Sequence, residues 1–447
     1  MRILWLAPIV AMLLTGQLPA QDNTELLNRM KAMEDRIKSL EAEVQSLKQT
    51  AVAAPPAVAA AAPPEPTPQP AVPTPQEPVN LGGAGPAASK ALNPDISVIG
   101  DFVGAAGYGA NRPIQSLEMH ESEVGFQEVI DPYARADFFL TFGEHGVDLE
   151  EGYITFTSLP AGLQVKAGKM RAAFGKVNTL HNHVLPWIDR PLVNQNLVGG
   201  EDGIDDAGLS ISRILPAPKG IFLEGIAQIY RGDSENVFQS LRRNDVATVE
   251  HLHAYRDLSE STNIDIGGSY ARGHSPFANG TNQLFGADLT LRWKPLRRAI
   301  YHSFVAHSEF IWARTAVSPQ GIQFVGGPVA TAPVGKAKPF GFYVSGDYQL
   351  GRRWFLGGRF DRSQRGQCLP TNPATTSPCP ISVYPNALDY THLLQDTGGS
   401  ILLSYWSSEF SGIRAQLRRT RYGEGLTSNE IMFQFMFSMG AHGAHPF

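Results

Sequence analysis

Cysteine is nearly absent: Cys368 and Cys379 are the two among 447 residues, too few for a disulfide framework or a four-ligand zinc site. Charge is sparse as well. Asp, Glu, Lys and Arg make up 18% of the chain, against roughly 25% in an average globular protein. The 37 basic and 42 acidic side chains leave a net charge of −5, which offers no electrostatic attraction to nucleic acid. Beyond the first fourteen residues no run approaches the ~18 apolar residues of a membrane helix, and this excludes a helical membrane protein. No nucleotide-binding glycine loop, nucleophile elbow or HExxH helix occurs, so the chain reads as a non-enzyme with no cofactor.

What is present divides into four segments. In residues 1–20, Arg2 precedes an apolar run from Ile3 to Leu14 that ends in a polar break and the small residue Ala20, the pattern of an export signal. Residues 21–50 contain a heptad seam, with Met30, Ile37 and Val44 at one core position and Leu26, Met33, Leu40 and Leu47 at the other. Arg29, Arg36 and Glu43 then face Glu34, Glu41 and Lys48 of a neighbouring parallel chain, which predicts a coiled coil that self-associates through residues 26–47. Residues 51–94 are mostly Ala and Pro, as in Pro63-Pro64-Glu65-Pro66, and form a semi-extended spacer.

From 95 to 447 the apolar residues alternate. Phe285, Ala287, Leu289, Leu291 and Trp293 share one face, and Asp288, Thr290, Arg292 and Lys294 the other. Ile413, Ala415 and Leu417 oppose Arg414, Gln416 and Arg418 in the same way. Period two means strands with one wet and one apolar face. Sixteen such segments are expected, beginning near Ile96, Glu118, Tyr133, Val147, Leu163, Asp205, Gly220, Thr248, Thr262, Gln283, Tyr301, Lys338, Arg352, Thr391, Ser408 and Glu430. Links after odd strands are long (105–117, 175–204, 231–247, 273–282, 316–337, 364–390 and 422–429, with 143–146 the exception), and links after even strands are short. Loops at one end and turns at the other, with an even strand count, predict an all-β fold, a sixteen-stranded antiparallel transmembrane barrel in the bacterial outer membrane. The terminal Phe447, after a strand carrying Ile431, Phe433, Phe435, Phe437 and Met439, resembles the carboxy-terminal signal read by the outer-membrane barrel assembly machinery.

The stretch GVDLEEGYITFTSLPAGLQVKAGKMRAAFGKVN at 146–178, RPLV at 190–193 and the Gly208-Leu209 strand resemble porins of the phosphate-selective O and P family. The His181 and His183 segment and the GAHGAHPF ending are also similar to short outer-membrane proteins labelled zinc-regulated receptors. The first resemblance implies a homotrimer that passes small hydrophilic solutes passively, with outer-membrane lipid outside and the coiled coil in the periplasm. A zinc-linked receptor and an anchor tied to the cell wall through the coil are the alternatives.

Alternation places Lys166, Glu224, Asp265, Asp288, Arg292, Glu309, Asp347, Arg414 and Arg418 towards the lumen, along with Asp137. Their signs are mixed, and residues 95–160 hold 12 acids against 2 bases whereas 161–447 hold 22 against 28, so phosphate is not carried over as the solute. The 175–204 link, with His181, His183, Asp189, Arg190, Glu201 and Asp202, is the candidate to narrow the pore, or else an external cap. The histidine pairs 181/183, 251/253 and 442/445 have no recognisable fourth ligand, and no metal is assigned. Cys368 and Cys379, in a Pro-rich loop of an oxidising compartment, are expected to form a disulfide.

Overall fold

The computed structural model describes residues 31, 38, 94–108, 114–144, 146–234, 237–276, 280–317, 335–365, 393–423 and 425–440. Lys31 and Lys38 are helical and exposed. The export signal, the rest of the coiled-coil seam, the spacer to residue 93, the expected Cys368–Cys379 bridge, His442, His445 and Phe447 lie outside the described residues.

Sixteen long antiparallel strands make up the barrel. They are β1 (Asp95–Tyr108), β2 (Glu118–Asp131), β3 (Ala134–Gly143), β4 (Gly146–Phe156), β5 (Leu163–Arg171), β6 (Asp205–Ile214), β7 (Ile221–Tyr230) and β8 (Ala247–Ser259). The second half comprises β9 (Thr262–His274), β10 (Thr281–Trp293), β11 (Phe304–Val317), β12 (Phe340–Gln349), β13 (Trp354–Gln364), β14 (Gln395–Ser408), β15 (Ser411–Arg421) and β16 (Thr427–Gly440). Each pairs with its sequence neighbours, and β1 pairs with β16 from Ser97↔Gly440 to Tyr108↔Asn429, so the sheet closes. A further three-residue strand, Gly335–Ala337, prolongs the ladder at the end of β11. No helix among the described residues is long and apolar enough to cross a membrane.

The strand order and loop asymmetry match the reading from periodicity, with boundaries corrected: the strands expected near Tyr301, Thr391, Ser408 and Glu430 begin at Phe304, Gln395, Ser411 and Thr427. β1 continues to Tyr108 instead of ending at Gly104. Its last part, Gly104-Ala105-Ala106-Gly107, shows no alternation because the space is already filled: a Cβ on Gly104 would lie 2.3 Å from the Phe433 ring. The small residues admit that ring while the backbone stays in the ladder.

Burial follows the pleat. Ile401, Leu403, Ile413, Leu417, Ile431 and Phe435 are exposed on the outer face, whereas Ser400, Leu402, Ser404, Arg414, Gln416 and Arg418 between them are buried. This is the reverse of a water-soluble barrel, whose apolar side chains would fill the centre. An apolar band around a closed strand cylinder suits hydrocarbon, in which every backbone polar group must find a partner within the sheet.

Of the register shifts on the wall formed by β1 to β4, two place an extra ionisable residue inside a strand. Asp101 pairs with Glu121 and Phe102 with Met119, which leaves His120 as an extra residue in β2. Likewise Phe139 pairs with Glu151 and Leu140 with Leu149, which leaves Glu150 extra in β4. A bulge re-aims side chains, and here Glu150 and Glu151, adjacent in sequence, are both buried.

Ile401 lies at the middle of β14 and is 60% exposed. Ile401→Arg is expected to destabilise the barrel by about 2–4 kcal/mol in bilayers, the cost of a cation on the lipid face at mid-depth. Reversible urea unfolding from lipid vesicles measures this, with Ser259→Arg at the end of β8 as the control near zero.

Candidate functional site

The link between β5 and β6, residues 172–204, folds back against the inner wall. Its two ends are clasped: Ala172 N–H donates to the Ile204 carbonyl at 2.8 Å, and the Asn178 amide donates to both the Ala172 and Ile204 carbonyls while accepting from Ile204 N–H. The neck needs left-handed backbone at Gly203 (φ +69°), where a Cβ would lie 2.0 Å from Asn178 Oδ1. Gly175 (φ +61°) makes the inward turn, and its N–H donates to Ser269 Oγ at 2.9 Å.

Beyond the neck the loop is held by side chains of the wall. Glu309 on β11 accepts from Lys176 N–H at 2.5 Å, Val177 N–H at 2.6 Å and the Asn194 amide at 3.1 Å. The short helix α1 (Leu192–Leu197) packs against β12 and β13, and its first residue donates N–H to Asp361 at 3.1 Å. Arg414 donates to the Leu185 carbonyl at 2.6 Å, and Gln416 accepts from Ile188 N–H at 3.0 Å.

Asp189 is the centre of this contact. Its Oδ2 takes Arg359 at 2.8 Å and Arg418 at 2.9 Å, and its Oδ1 takes Gln416 at 2.5 Å. Burial alone pushes the Asp189 carboxyl pKa up, but the two guanidinium groups outweigh it and hold the value below the ordinary range. Around this network lies an apolar core inside the barrel: Phe174, Leu185, Trp187, Val193 and Val198 from the loop against Leu284, Ile311, Tyr343, Leu402 and Met432 from the wall. Trp187 meets Tyr343 edge-on at 5.1 Å and carries the Arg359 guanidinium over its ring at 5.0 Å.

The loop's earlier part engages the opposite chemistry. His181 Nδ1 is 2.5 Å from Glu123 and Nε2 is 2.8 Å from Glu151. Burial disfavours the imidazolium, but the two hydrogen-bonded carboxylates dominate and push its pKa up to about 10. Glu150 is paired with Arg171, whose guanidinium also donates to the Asp202 carbonyl at 2.7 Å. Arg190 braces the loop from within through Asn182 Oδ1 and the Leu180 carbonyl, both at 2.8 Å.

The structure therefore separates the lumen residues expected from alternation into two groups. Asp288, Glu309, Arg414 and Arg418 are buried, and all but Asp288 bond to the loop or to the network around it. Asp265, also buried, pairs with His253 at 2.5 Å. Lys166, Glu224, Arg292 and Asp347 remain half-buried, with the Lys166 ammonium 4.6 Å from the Tyr153 ring centre. Within the loop, His181, His183, Asp189 and Arg190 are buried, whereas Glu201 and Asp202 are exposed at its return. Glu201 there meets His120 at 3.0 Å. Arg359, Asp361, Gln416, Glu123, Glu150, Glu151 and Arg171 belong to the same assembly and were not singled out by the sequence.

No family model matches the chain. A protein of Aquifex aeolicus (strain VF5), itself uncharacterized, is 26% identical over 411 residues, 81% of either chain. Among solved structures the chain is similar to an anion-selective porin from Comamonas acidovorans (TM-score 0.49, 8% identity, 77% of this chain and all of that one). It is similar also to Pseudomonas putida OprB (0.48, 10%, 79% and 97%) and to the outer membrane channel DcaP of Acinetobacter baumannii (0.46, 11%, 78% and 96%).

Asp189→Asn removes the carboxylate that Arg359 and Arg418 share, while Asp361 and Glu430 stay paired with them, and is expected to weaken loop docking by about 1.5–3 kcal/mol, the scale of a hydrogen bond to a charged group. Because the folded pKa of Asp189 is depressed, its contribution is complete above about pH 4 and is lost as pH falls through the lower folded value. Hydrogen exchange of residues 185–198 should show protection unchanged from pH 7 to pH 4 in the native protein, and loss of it in Asp189→Asn throughout.

Proposed function

We propose that the chain is an outer-membrane porin through which small hydrophilic solutes and ions diffuse passively, with the 172–204 loop as the constriction. One observation carries this reading: the inner wall is divided. Part of it is sealed by the docked loop and its apolar core, while Lys166, Glu224, His253, Arg292 and Asp347 stay partly exposed on the same wet face. An inert anchor would have no use for a polar face left open beside a loop fixed by so many side chains. Water and solutes pass along that remaining face, which carries both signs of charge and so imposes weak selectivity.

The resemblance to the O and P porins is carried by the 146–178 stretch, RPLV at 190–193 and the Gly208-Leu209 strand. Phosphate capture by fixed guanidinium groups is not part of the proposal, because Asp189, Asp361 and Glu430 already pair with Arg359 and Arg418 and leave them no free charge for an oxyanion. A homotrimer that self-associates through residues 26–47 as a periplasmic coil, delivered by the barrel assembly machinery, completes the proposal.

Purified protein in planar bilayers should give stepwise conductance. Lys166→Glu with Arg292→Glu reverses two partly exposed charges without touching the docked loop, and the reversal potential in a salt gradient should move towards cation preference. A protein that inserts and stays electrically silent would contradict the porin reading.

A further inference from the structure

We propose that Glu123, His181 and His183, with Glu150 as the fourth donor, form a binding site for one divalent transition-metal ion of the zinc class. Donor atoms of the first three lie within 4.8 Å of one another. Glu123 Oε2 is 2.5 Å from His181 Nδ1 and 3.7 Å from His183 Nδ1. Ligands at the usual zinc distances around a tetrahedron stand about 3.3–3.5 Å apart, so small side-chain rotations admit the ion.

Three features beyond proximity point to a ligand. The first is Glu150 Oε2, which is buried, accepts no hydrogen bond, and lies 3.6 Å from His181 Nδ1, while the other oxygen of that carboxylate is taken by Arg171. The second is outer support. Glu151 sits 2.8 Å from His181 Nε2, the arrangement in which a carboxylate orients a metal-bound imidazole and raises its basicity. The third is charge: the carboxylates of Glu123, Glu150 and Glu151 outnumber the Arg171 guanidinium, and a dication that displaces the proton from His181 Nδ1 adds one positive charge among them. Two nitrogens among the donors suit zinc, cobalt, nickel or copper, and not calcium or magnesium, which take oxygen.

The bulge at Glu150 gives the site its reason. Ordinary alternation would turn either Glu150 or Glu151 outward; the extra residue brings in both, one as ligand and one as the positioning residue behind His181. Bound there, the ion would join β2 and β4 to the start of the inward loop. The inference does not depend on solute passage, since the ion is read by uptake and not by conductance.

The test uses the full chain folded in detergent, stripped with a chelator and dialysed against zinc. The expected result is one tightly held zinc per chain, unaffected by millimolar calcium or magnesium, whose X-ray absorption shows two imidazoles with oxygen donors. His183→Ala should weaken binding at least tenfold and Glu151→Gln about 10- to 100-fold, the usual range for an outer-shell partner. His251→Ala with His253→Ala, and His442→Ala with His445→Ala, should leave this zinc in place. The proposal is overturned if the native chain takes up no zinc saturably, if its bound zinc shows no imidazole, or if uptake is indifferent to both His183→Ala and Glu123→Gln. The native-chain measurements decide the matter even where a variant fails to fold.

Discussion

The twelve-residue pairing of β1 with β16 is the constraint on which the rest of the molecule depends. In hydrocarbon an unpaired strand edge leaves a row of N–H and C=O groups with no partner, so an open sheet of this sequence has no place in a bilayer. Closure resolves that and fixes the other properties in turn. The outer face becomes apolar because it meets lipid, the inner face polar because it does not. A long link after any strand must then either leave the barrel or enter it.

The 172–204 link enters, and its composition explains why. Val184, Leu185, Trp187, Ile188, Leu192, Val193, Leu197 and Val198 fall within fifteen residues, more apolar surface than an external loop can leave in water. Burying such side chains is worth roughly 1.5–3 kcal/mol each, and the wall reciprocates at Leu284, Ile311, Tyr343, Leu402 and Met432, inward positions that are not polar. Burial alone would let the loop slide. The buried charges set its register, since Asp189 finds two guanidinium groups at one position only, and in a shifted loop its carboxylate would be buried without them.

How much of this was legible beforehand depends on the range of the signal. The sixteen strands were, because period two is local and survives errors at boundaries, as β12 and β15 illustrate with strict alternation through their length. The link's length marked it as a candidate, and the inward side of Glu309, Arg414 and Arg418 followed from parity. Which partner each residue would meet was not legible. Asp189 joins Arg359 and Arg418 across 170 and 229 residues, a juxtaposition set by barrel closure and invisible to spacing. Glu150 escaped for a different reason, since parity fails wherever a bulge inserts a residue, and nothing in LEEGY announces one. The two half-buried cations, Lys166 and Arg292, looked no different from the buried ones, because only the docked loop separates them.

The charge distribution links these observations. Residues 95–160 carry 12 acids against 2 bases, so β1 to β4 form an acidic wall, while Arg359, Arg414 and Arg418 stand on β13 and β15. Left open, such a lumen would expose to water one wall rich in carboxylates and another that carries these guanidinium groups. The loop meets each with its complement: His181 goes to Glu123 and Glu151, Asp189 to Arg359 and Arg418. Its polarity is thus matched to the barrel's, and a loop docked the other way round would set His181 against guanidinium groups and Asp189 against carboxylates. At an effective dielectric of about 20, like charges 4 Å apart repel by roughly 4 kcal/mol each, enough to exclude the reversed arrangement with no help from shape. The uneven charge of the sequence, which as a net figure says almost nothing, is therefore what orients the inward loop.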